Sequence, residues 1–365
     1  MIQLLNFYRN VIVNFLKLST VFSPQQYRIL IMSTHKKKAT ITDVARKVGM
    51  TTITVSRALN TPEKVKQETL KKILAAAHEL HYVPNAIARN LKSQESRIIG
   101  LVTASIDNPF YAHTFKAINR IAKSHNYSLM LFDTDGSEEL ERKAIETLMG
   151  YQASGIILSA VSDADDYTPA YLHKLELTQI PVVQIDRKIS CSSFPGVYLD
   201  NFNSGYKAMK SLLSKGFQNI LVLAGPKESC ITIDRINGIQ KALEDCTLPI
   251  SLTIKYGDYQ KEKSKNAMLE CIKSGQRPEA IFGLNILITI GAMEALQEAK
   301  LGIDQAHIMS IDDIPYSNAF GRPIPCVHHD TYELGASAVS MLLELIKNPA
   351  KKIEDGAIIG VLSDS

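Results

Sequence analysis

The chain has no tryptophan and no CxxC pair. Its five cysteines, Cys191, Cys230, Cys246, Cys271 and Cys326, are scattered and odd in number. That spacing argues against a disulfide framework and against paired zinc ligands, and reduced thiols in a cytoplasmic protein are the expectation. No uninterrupted apolar run reaches the ~20 residues of a membrane span. No small-residue cleavage site closes a signal-like core. The GxSxG, Walker A, HExxH and GxGxxG patterns are all missing, which removes the reaction classes they serve. The expectation is a protein that is not an enzyme and uses no cofactor and no metal. Adjacent His328 and His329 do not revive a metal site, because neighbours on a strand face opposite ways.

Acidic residues are unevenly missing. Residues 1–31 contain Arg9, Lys17 and Arg28 but no acid. Residues 32–97 hold thirteen basic and five acidic residues, and residues 98–365 hold twenty-five basic and thirty-two acidic ones. A small basic head on a larger acidic body fits a nucleic-acid binder with a separate sensing module. Residues 1–38 read as an amino-terminal extension, disordered or arising from an upstream start codon. Met32-Ser33-Thr34 resembles a natural start.

Within the head, Thr40 can cap a helix, with Asp43 answering its backbone N–H. Val44, Ala45 and Val48 follow at helical spacing. Gly49 breaks the helix. Thr51 caps a second helix running to about Leu59, whose Val55, Ala58 and Leu59 point inward. Thr52, Ile53, Thr54, Ser56 and Arg57 are left on the outer face, and a major-groove helix reads bases with such residues near its amino end. A third helix is expected from Gln67 to His81, with Leu70, Ile73, Leu74, Ala77 and Leu80 as its core stripe. Residues 39–83 therefore form a helix-turn-helix domain. Pro84 ends it. Residues 84–97 form a hinge, in which Asn85 caps a two-turn stretch with Ala88 on its small side, Leu91 exposed, and Arg89 and Lys92 flanking. Two turns are too short to be stable alone, but paired copies on DNA could press Leu91 into the minor groove.

From Ser96 onward short apolar runs alternate with helical stretches, the pattern of parallel sheets covered on both faces. Residues 98–357 read as a two-lobed, doubly wound α/β core and residues 358–365 as a tail. Ligands in such folds bind beyond the carboxyl ends of strands. Those positions carry Asp107 to Tyr111, Asp133, Asp135, Asp186, Arg187, Asp200, Asn201, Asn285, Asp312 and Asp313, a set able to bond a small polar ligand and stack on its apolar face.

These motifs resemble the LacI/GalR family of bacterial transcription regulators over residues 39–363. The matching stretches are Thr40-Ile41-x-Asp43-Val44-Ala45, Thr54-Val55-Ser56-Arg57-x-Leu59-Asn60, Tyr82-x-Pro84-Asn85-x-x-Ala88-Arg89-x-Leu91, Asn108-Pro109-Phe110-Tyr111, Ile180-Pro181-Val182-Val183-x-Ile185-Asp186-Arg187, Ala224-Gly225-Pro226, Arg235-x-x-Gly238, Asp312-Asp313-Ile314-Pro315 and Glu333-Leu334-Gly335. The resemblance implies a core like periplasmic sugar-binding proteins, a homodimer or a tetramer built from dimers, and a palindromic double-stranded operator. It implies base reading by Ile53, Thr54 and Arg57, phosphate contacts from Thr51, Thr52 and Ser56, and a Leu91 wedge. With Asn60, Asn85, Ala88, Arg89 and Lys92 these form the expected DNA-binding set. The implied effector contacts are Phe110, Tyr111, Asp186, Arg235, Tyr259, Asn285 and Asp312. Two departures stand out. Ile286 follows Asn285 where the family commonly has Asp, and Lys66 replaces a small hydroxyl cap on the third helix. The expected function is a cytoplasmic transcriptional repressor whose operator affinity a small polar effector, a sugar or sugar derivative, controls from between the lobes. The alternative is a ligand-binding receptor with a non-regulatory head.

Overall fold

The computed structural model describes residues 39–83, 96–302 and 306–363, in two units divided between residues 92 and 93. The expected hinge residues Asn85, Ala88, Arg89, Leu91 and Lys92 lie outside the described residues, as does the extension to residue 38.

The head contains α1 (Ile41–Val48), α2 (Thr52–Asn60) and α3 (Gln67–Glu79). Thr40 and Asp43 form a reciprocal capping box, and Gly49 ends α1 in the left-handed conformation at φ 66°, which glycine adopts without a steric cost. Val44, Val55 and Ile73 are fully buried in one cluster with Ala45, Ala58, Ala76 and Ala77. Leu74 departs from the expected stripe: it is exposed, and Ala76 takes the inward place. At about 100° per residue, Leu74 points roughly 110° away from the mean direction of Ile73, Ala76, Ala77 and Leu80. Lys66 occupies the cap position of α3 without a side-chain cap bond.

The core holds β1 (Ile98–Thr103), α4 (Phe110–Ser124), β2 (Ser128–Asp133), α5 (Glu138–Gly150), β3 (Gly155–Leu158), α6 (Leu172–Leu177), β4 (Val182–Ile185), β5 (Gly196–Leu199), α7 (Asn201–Ser214), β6 (Asn219–Ala224), α8 (Cys230–Glu244), β7 (Ser251–Tyr256), α9 (Lys261–Lys273), β8 (Ala280–Gly283), α10 (Ile286–Glu298), β9 (His307–Ile311), β10 (Cys326–His328), α11 (Thr331–Lys347), β11 (Gly356–Ile358) and β12 (Val361–Ser363). Two six-stranded sheets result, ordered β11-β5-β4-β3-β1-β2 and β12-β10-β9-β8-β6-β7. Among the described residues every pairing between these strands is parallel except β10 with β12. Central strands such as β3, β4 and β8 are buried along their whole length, as strands covered on both faces must be.

The chain passes between lobes three times: at Asp200 between β5 and α7, at His329 and Asp330 between β10 and α11, and at Ile359 and Gly360 between β11 and β12. The expected boundary at residue 357 is thereby corrected. Ile358 pairs with Leu199 and residues 361–363 pair with β10, so these residues complete both sheets.

Close helix packing fixes the second lobe. A Cβ on Gly205 would stand 2.1 Å from the Arg235 carbonyl oxygen, and one on Gly238 would stand 2.0 Å from that of Phe202. The backbones of α7 and α8 touch at these two glycines.

Candidate functional site

On α2, Thr51 caps the helix by accepting from the Thr54 N–H at 3.2 Å, and the two hydroxyls lie 2.9 Å apart. Thr51, Thr52, Ile53, Arg57 and Asn60 are exposed, with Thr54 and Ser56 half-buried. Ile53 is 65% exposed, a large apolar cost in water that contact with a thymine methyl could recover. Asn60 donates to Ser56 Oγ at 3.2 Å. The helix thus presents short hydroxyls, one isoleucine and one arginine on a single outward face.

The core's site lies between the lobes. Ala104, Ser105, Asn108, Phe110, Tyr111, Asp186, Arg187, Leu199, Ile231, Arg235, Tyr259, Asn285, Leu287 and Asp312 line it. All seven expected effector residues are among them. Asp133, Asp135, Asp107 and Asp313, also at strand ends, do not line it. Strand β2 is outermost, so its end lies away from the cleft, and Asp313 turns outward to pair with His328.

Asp186 and Asp312 hold equivalent places in the two lobes. Each follows a central strand with a left-handed backbone, φ 63° and 64°. Each donates its N–H to the next strand, Asp186 to Val197 O at 3.1 Å and Asp312 to Val327 O at 2.9 Å. Non-glycine residues rarely take this conformation, which costs about 1–3 kcal/mol, and here it aims one carboxylate from each lobe into the cleft.

Asp186 Oδ2 accepts from the Tyr111 hydroxyl at 2.7 Å. Burial pushes the Asp186 carboxyl up, opposed by the Arg187 charge and the Tyr111 bond. Burial, and then the Asp186 charge, holds the Tyr111 hydroxyl well above its ordinary value, so it stays a donor. Asp312 Oδ1 lies 2.6 Å from His329 Nδ1. His329 Nε2 lies 2.9 Å from Ser204 Oγ, which itself donates to Asp200 O at 2.6 Å. This Ser–His–Asp line is not poised for nucleophilic attack, because Ser204 is 1% exposed and its proton is already given to a carbonyl.

Arg235 is buried. Its Nε donates to Asn201 Oδ1 at 2.9 Å and its Nη1 to the Leu284 carbonyl. Tyr259 reaches Ser229 and Thr232 with its hydroxyl, at 2.7 Å each, and its ring lies 5.1 Å beneath the Arg187 guanidinium. Asn285 caps α10 by accepting from the Ile288 N–H at 2.7 Å. It is a helix cap as well as a lining residue. Ile286 is buried with Phe110 and Leu334 in the first lobe's cluster, so it supplies an apolar contact between the lobes.

Several functional positions were missed in the sequence. Arg187 stood among the strand-end residues but not among the effector contacts. It donates to the Ala160 and Val161 carbonyls at 3.2 and 2.6 Å. Asp163, 3% exposed, accepts from Ser229 Oγ at 3.0 Å and the Ile231 N–H at 2.8 Å at the amino end of α8, clasping one lobe to the other. Ser204 and His329 carried no signal of a joint role; residues so far apart meet only through the topology. The cavity between the lobes measures about 60 Å³. Among the described residues no helix is long and apolar enough to cross a membrane.

Residues 96–359 match the family described as periplasmic binding proteins and sugar binding domain of the LacI family, and residues 40–85 match the bacterial regulatory proteins of the lacI family. The HTH-type transcriptional repressor PurR of Edwardsiella ictaluri is 30% identical over 327 residues, 88% of this chain and 94% of that protein. PurR of Actinobacillus pleuropneumoniae is 29% identical over 311 residues, 85% and 91% of the two chains. Among solved structures, the lac repressor dimer bound to operator and the anti-inducer ONPF matches with a TM-score of 0.75 at 24% identity, covering 90% of this chain and 98% of that one. The Cra dual regulator of Pseudomonas putida in complex with fructose 1-phosphate matches with a TM-score of 0.66 at 18% identity, covering 73% and 98%. At these identities the structural likeness is one of fold.

Proposed function

Because the chain belongs to the LacI family of bacterial regulatory proteins, we propose that it is a sequence-specific DNA-binding transcriptional repressor, controlled by a small polar effector between the core lobes. The observation that carries this reading is that one chain combines the exposed hydroxyl-and-arginine face of α2 with a buried cleft where Asp186, Asp312, Asn285 and Arg235 converge from two lobes.

Two copies would place their α2 helices in successive major grooves of a palindromic site. Ile53, Thr54 and Arg57 would read bases, with Thr51, Thr52, Ser56 and Asn60 setting the helix on the backbone. Leu91 would be the minor-groove wedge of the hinge, and Asn85, Ala88, Arg89 and Lys92 would complete the DNA-binding set. The effector class we assign is a sugar or sugar derivative. Two carboxylates can accept from ring hydroxyls, Arg235 and Asn285 can donate, and Phe110 and Tyr259 offer apolar faces. Effector contacts made from both lobes favour one lobe arrangement over another, and that difference is the only currency a ligand has for shifting operator affinity.

The test is selection of random duplex DNA by the full chain, followed by sequencing. An enriched palindrome supports the assignment. A pool without enrichment would point to a ligand-binding receptor carrying a non-regulatory head.

A further inference from the structure

His329 is 1% exposed, lies on the second crossover, and among the described residues its hydrogen bond to the cleft goes to Asp312. We infer that His329 is a positioning residue that fixes Asp312 for the effector and passes the effector's pull on Asp312 to the three segments joining the lobes. This rests on the cleft being the effector site and specifies how that site is regulated.

The hydrogen-bond roles follow from counting protons. Ser204 has one, and it goes to the Asp200 carbonyl at 2.6 Å. His329 Nε2, 2.9 Å from Ser204 Oγ, must therefore donate, since a hydroxyl can accept after it has donated. Between His329 Nδ1 and Asp312 Oδ1, 2.6 Å apart, one further proton is shared. The bonds through Ser204 are thus committed in one direction, the Nδ1–Oδ1 pair holds one proton between its two atoms, and no member can rotate without breaking a buried bond.

The same ring touches all three crossovers. His329 belongs to one. Ser204 and Asp200 belong to the start of α7, where the first crossover ends. The third crossover passes so close that a Cβ on Gly360 would lie 2.7 Å from His329 Nε2 and 3.1 Å from Ser204 Oγ. The crossovers are also tied directly, by the Asp200 N–H to Ile358 O at 3.0 Å and by Lys207 Nζ to Gly360 O at 2.8 Å. An effector that draws the Asp312 carboxylate toward itself must lengthen the bond to His329. The ring is buried and tied at Nε2 to Ser204, so the displacement is borne by Ser204, Asp200 and Gly360.

A histidine that merely satisfies its neighbours in a core would not transmit between its two ends. The experiment reads that transmission without any ligand. Asp312→Asn replaces the carboxyl at the cleft end with an amide in the full chain, and hydrogen exchange is followed at the Asp200 and Ser204 amides, both bonded in the native fold. The expected result is faster exchange at both by roughly 5- to 150-fold. In a His329→Leu background the same Asp312→Asn change should add less than about twofold, the behaviour of uncoupled sites. Equal acceleration in both backgrounds, or none in the wild type, overturns the inference. If His329→Leu does not fold, Ser204→Ala cuts the other end of the line, and the response at Asp200 should vanish there too; its persistence overturns the inference equally. Since no ligand is used, a missing coupling sinks the relay and leaves the effector site standing, whereas failure of every tested sugar to bind would sink the effector site and leave the coupling intact.

Discussion

The Tyr111 hydroxyl donates to Asp186 at 2.7 Å and lies 2.9 Å from the Ser159 hydroxyl. The tyrosine comes from the first turn of α4 and the aspartate from the end of β4, so two elements of one lobe agree on where a carboxylate enters the cleft. Removing the hydroxyl leaves that half-buried carboxylate short of a donor. Tyr111→Phe is expected to destabilise the core by about 1–3 kcal/mol and to weaken effector binding. Urea unfolding and ligand titration of the variant check this; unchanged stability would mean that Asp186 is positioned by other contacts.

Arg57 is exposed on the outer face of α2, and no described residue takes its guanidinium in an ion pair. Arg57→Ala should lose about 1–3 kcal/mol of discrimination against altered operators with the unfolding of the core unaffected. Competition binding with single-site operator variants is the measurement. An unaltered preference would remove Arg57 from base reading and leave it at most a phosphate contact.

The touching backbones of α7 and α8 predict a large effect from a small change. Gly238→Ala brings a methyl to 2.0 Å from the Phe202 carbonyl, which neither helix can yield to alone. A loss of about 1–3 kcal/mol or more is expected, with a lower Tm of the core. Gly216→Ala, a left-handed position with nothing nearby, should be destabilised only by its backbone and serves as the comparison.

Glu141 is fully buried on α5. It accepts from the Tyr167 and Tyr171 hydroxyls and from the Val161 N–H, each at 2.7 Å, and so anchors the loop that carries Asp163. Burial pushes its carboxyl above the ordinary 4.5, against the pull of those three donors. A carboxyl raised in the folded state binds its proton more tightly there than in the unfolded chain. Its contribution is therefore complete below about 4.5 and shrinks as pH rises through the folded value. The stability advantage of the wild type over Glu141→Gln should be largest near pH 4.5 and decline toward neutrality. Unfolding curves across that range decide it; a gap that widens with pH contradicts the burial argument.

Much of the fold could be read from the chain because the central strands are apolar runs and the capping residues sit where caps belong. Thr40, Gly49 and Thr51 set the head's first two helices by local chemistry. Edge elements were harder. Strand β7 mixes Ser251, Thr253 and Lys255 with half-buried apolar residues, and β10 to β12 are three residues each, too short for periodicity to register. The cleft residues at strand ends were legible from the rule that parallel sheets bind ligands there. Asp163, Ser204 and His329 were not, since each owes its role to a partner on another element. Leu74 misled because its spacing from Leu70 satisfies the helical pattern while its phase, set by Ile73 and Ala77, does not.

The most direct test of the account combines both ends of the molecule. The duplex enriched by the full chain is titrated with wild type and with Arg235→Ala, each without ligand and with the sugar or sugar derivative that most raises the wild type's Tm. The account predicts matching affinities for the two proteins without ligand, a ligand-induced change of roughly 5- to 150-fold in the wild type, and no change in the variant. A variant that responds as the wild type does, or a wild type whose operator affinity ignores a ligand bound in its cleft, would contradict it.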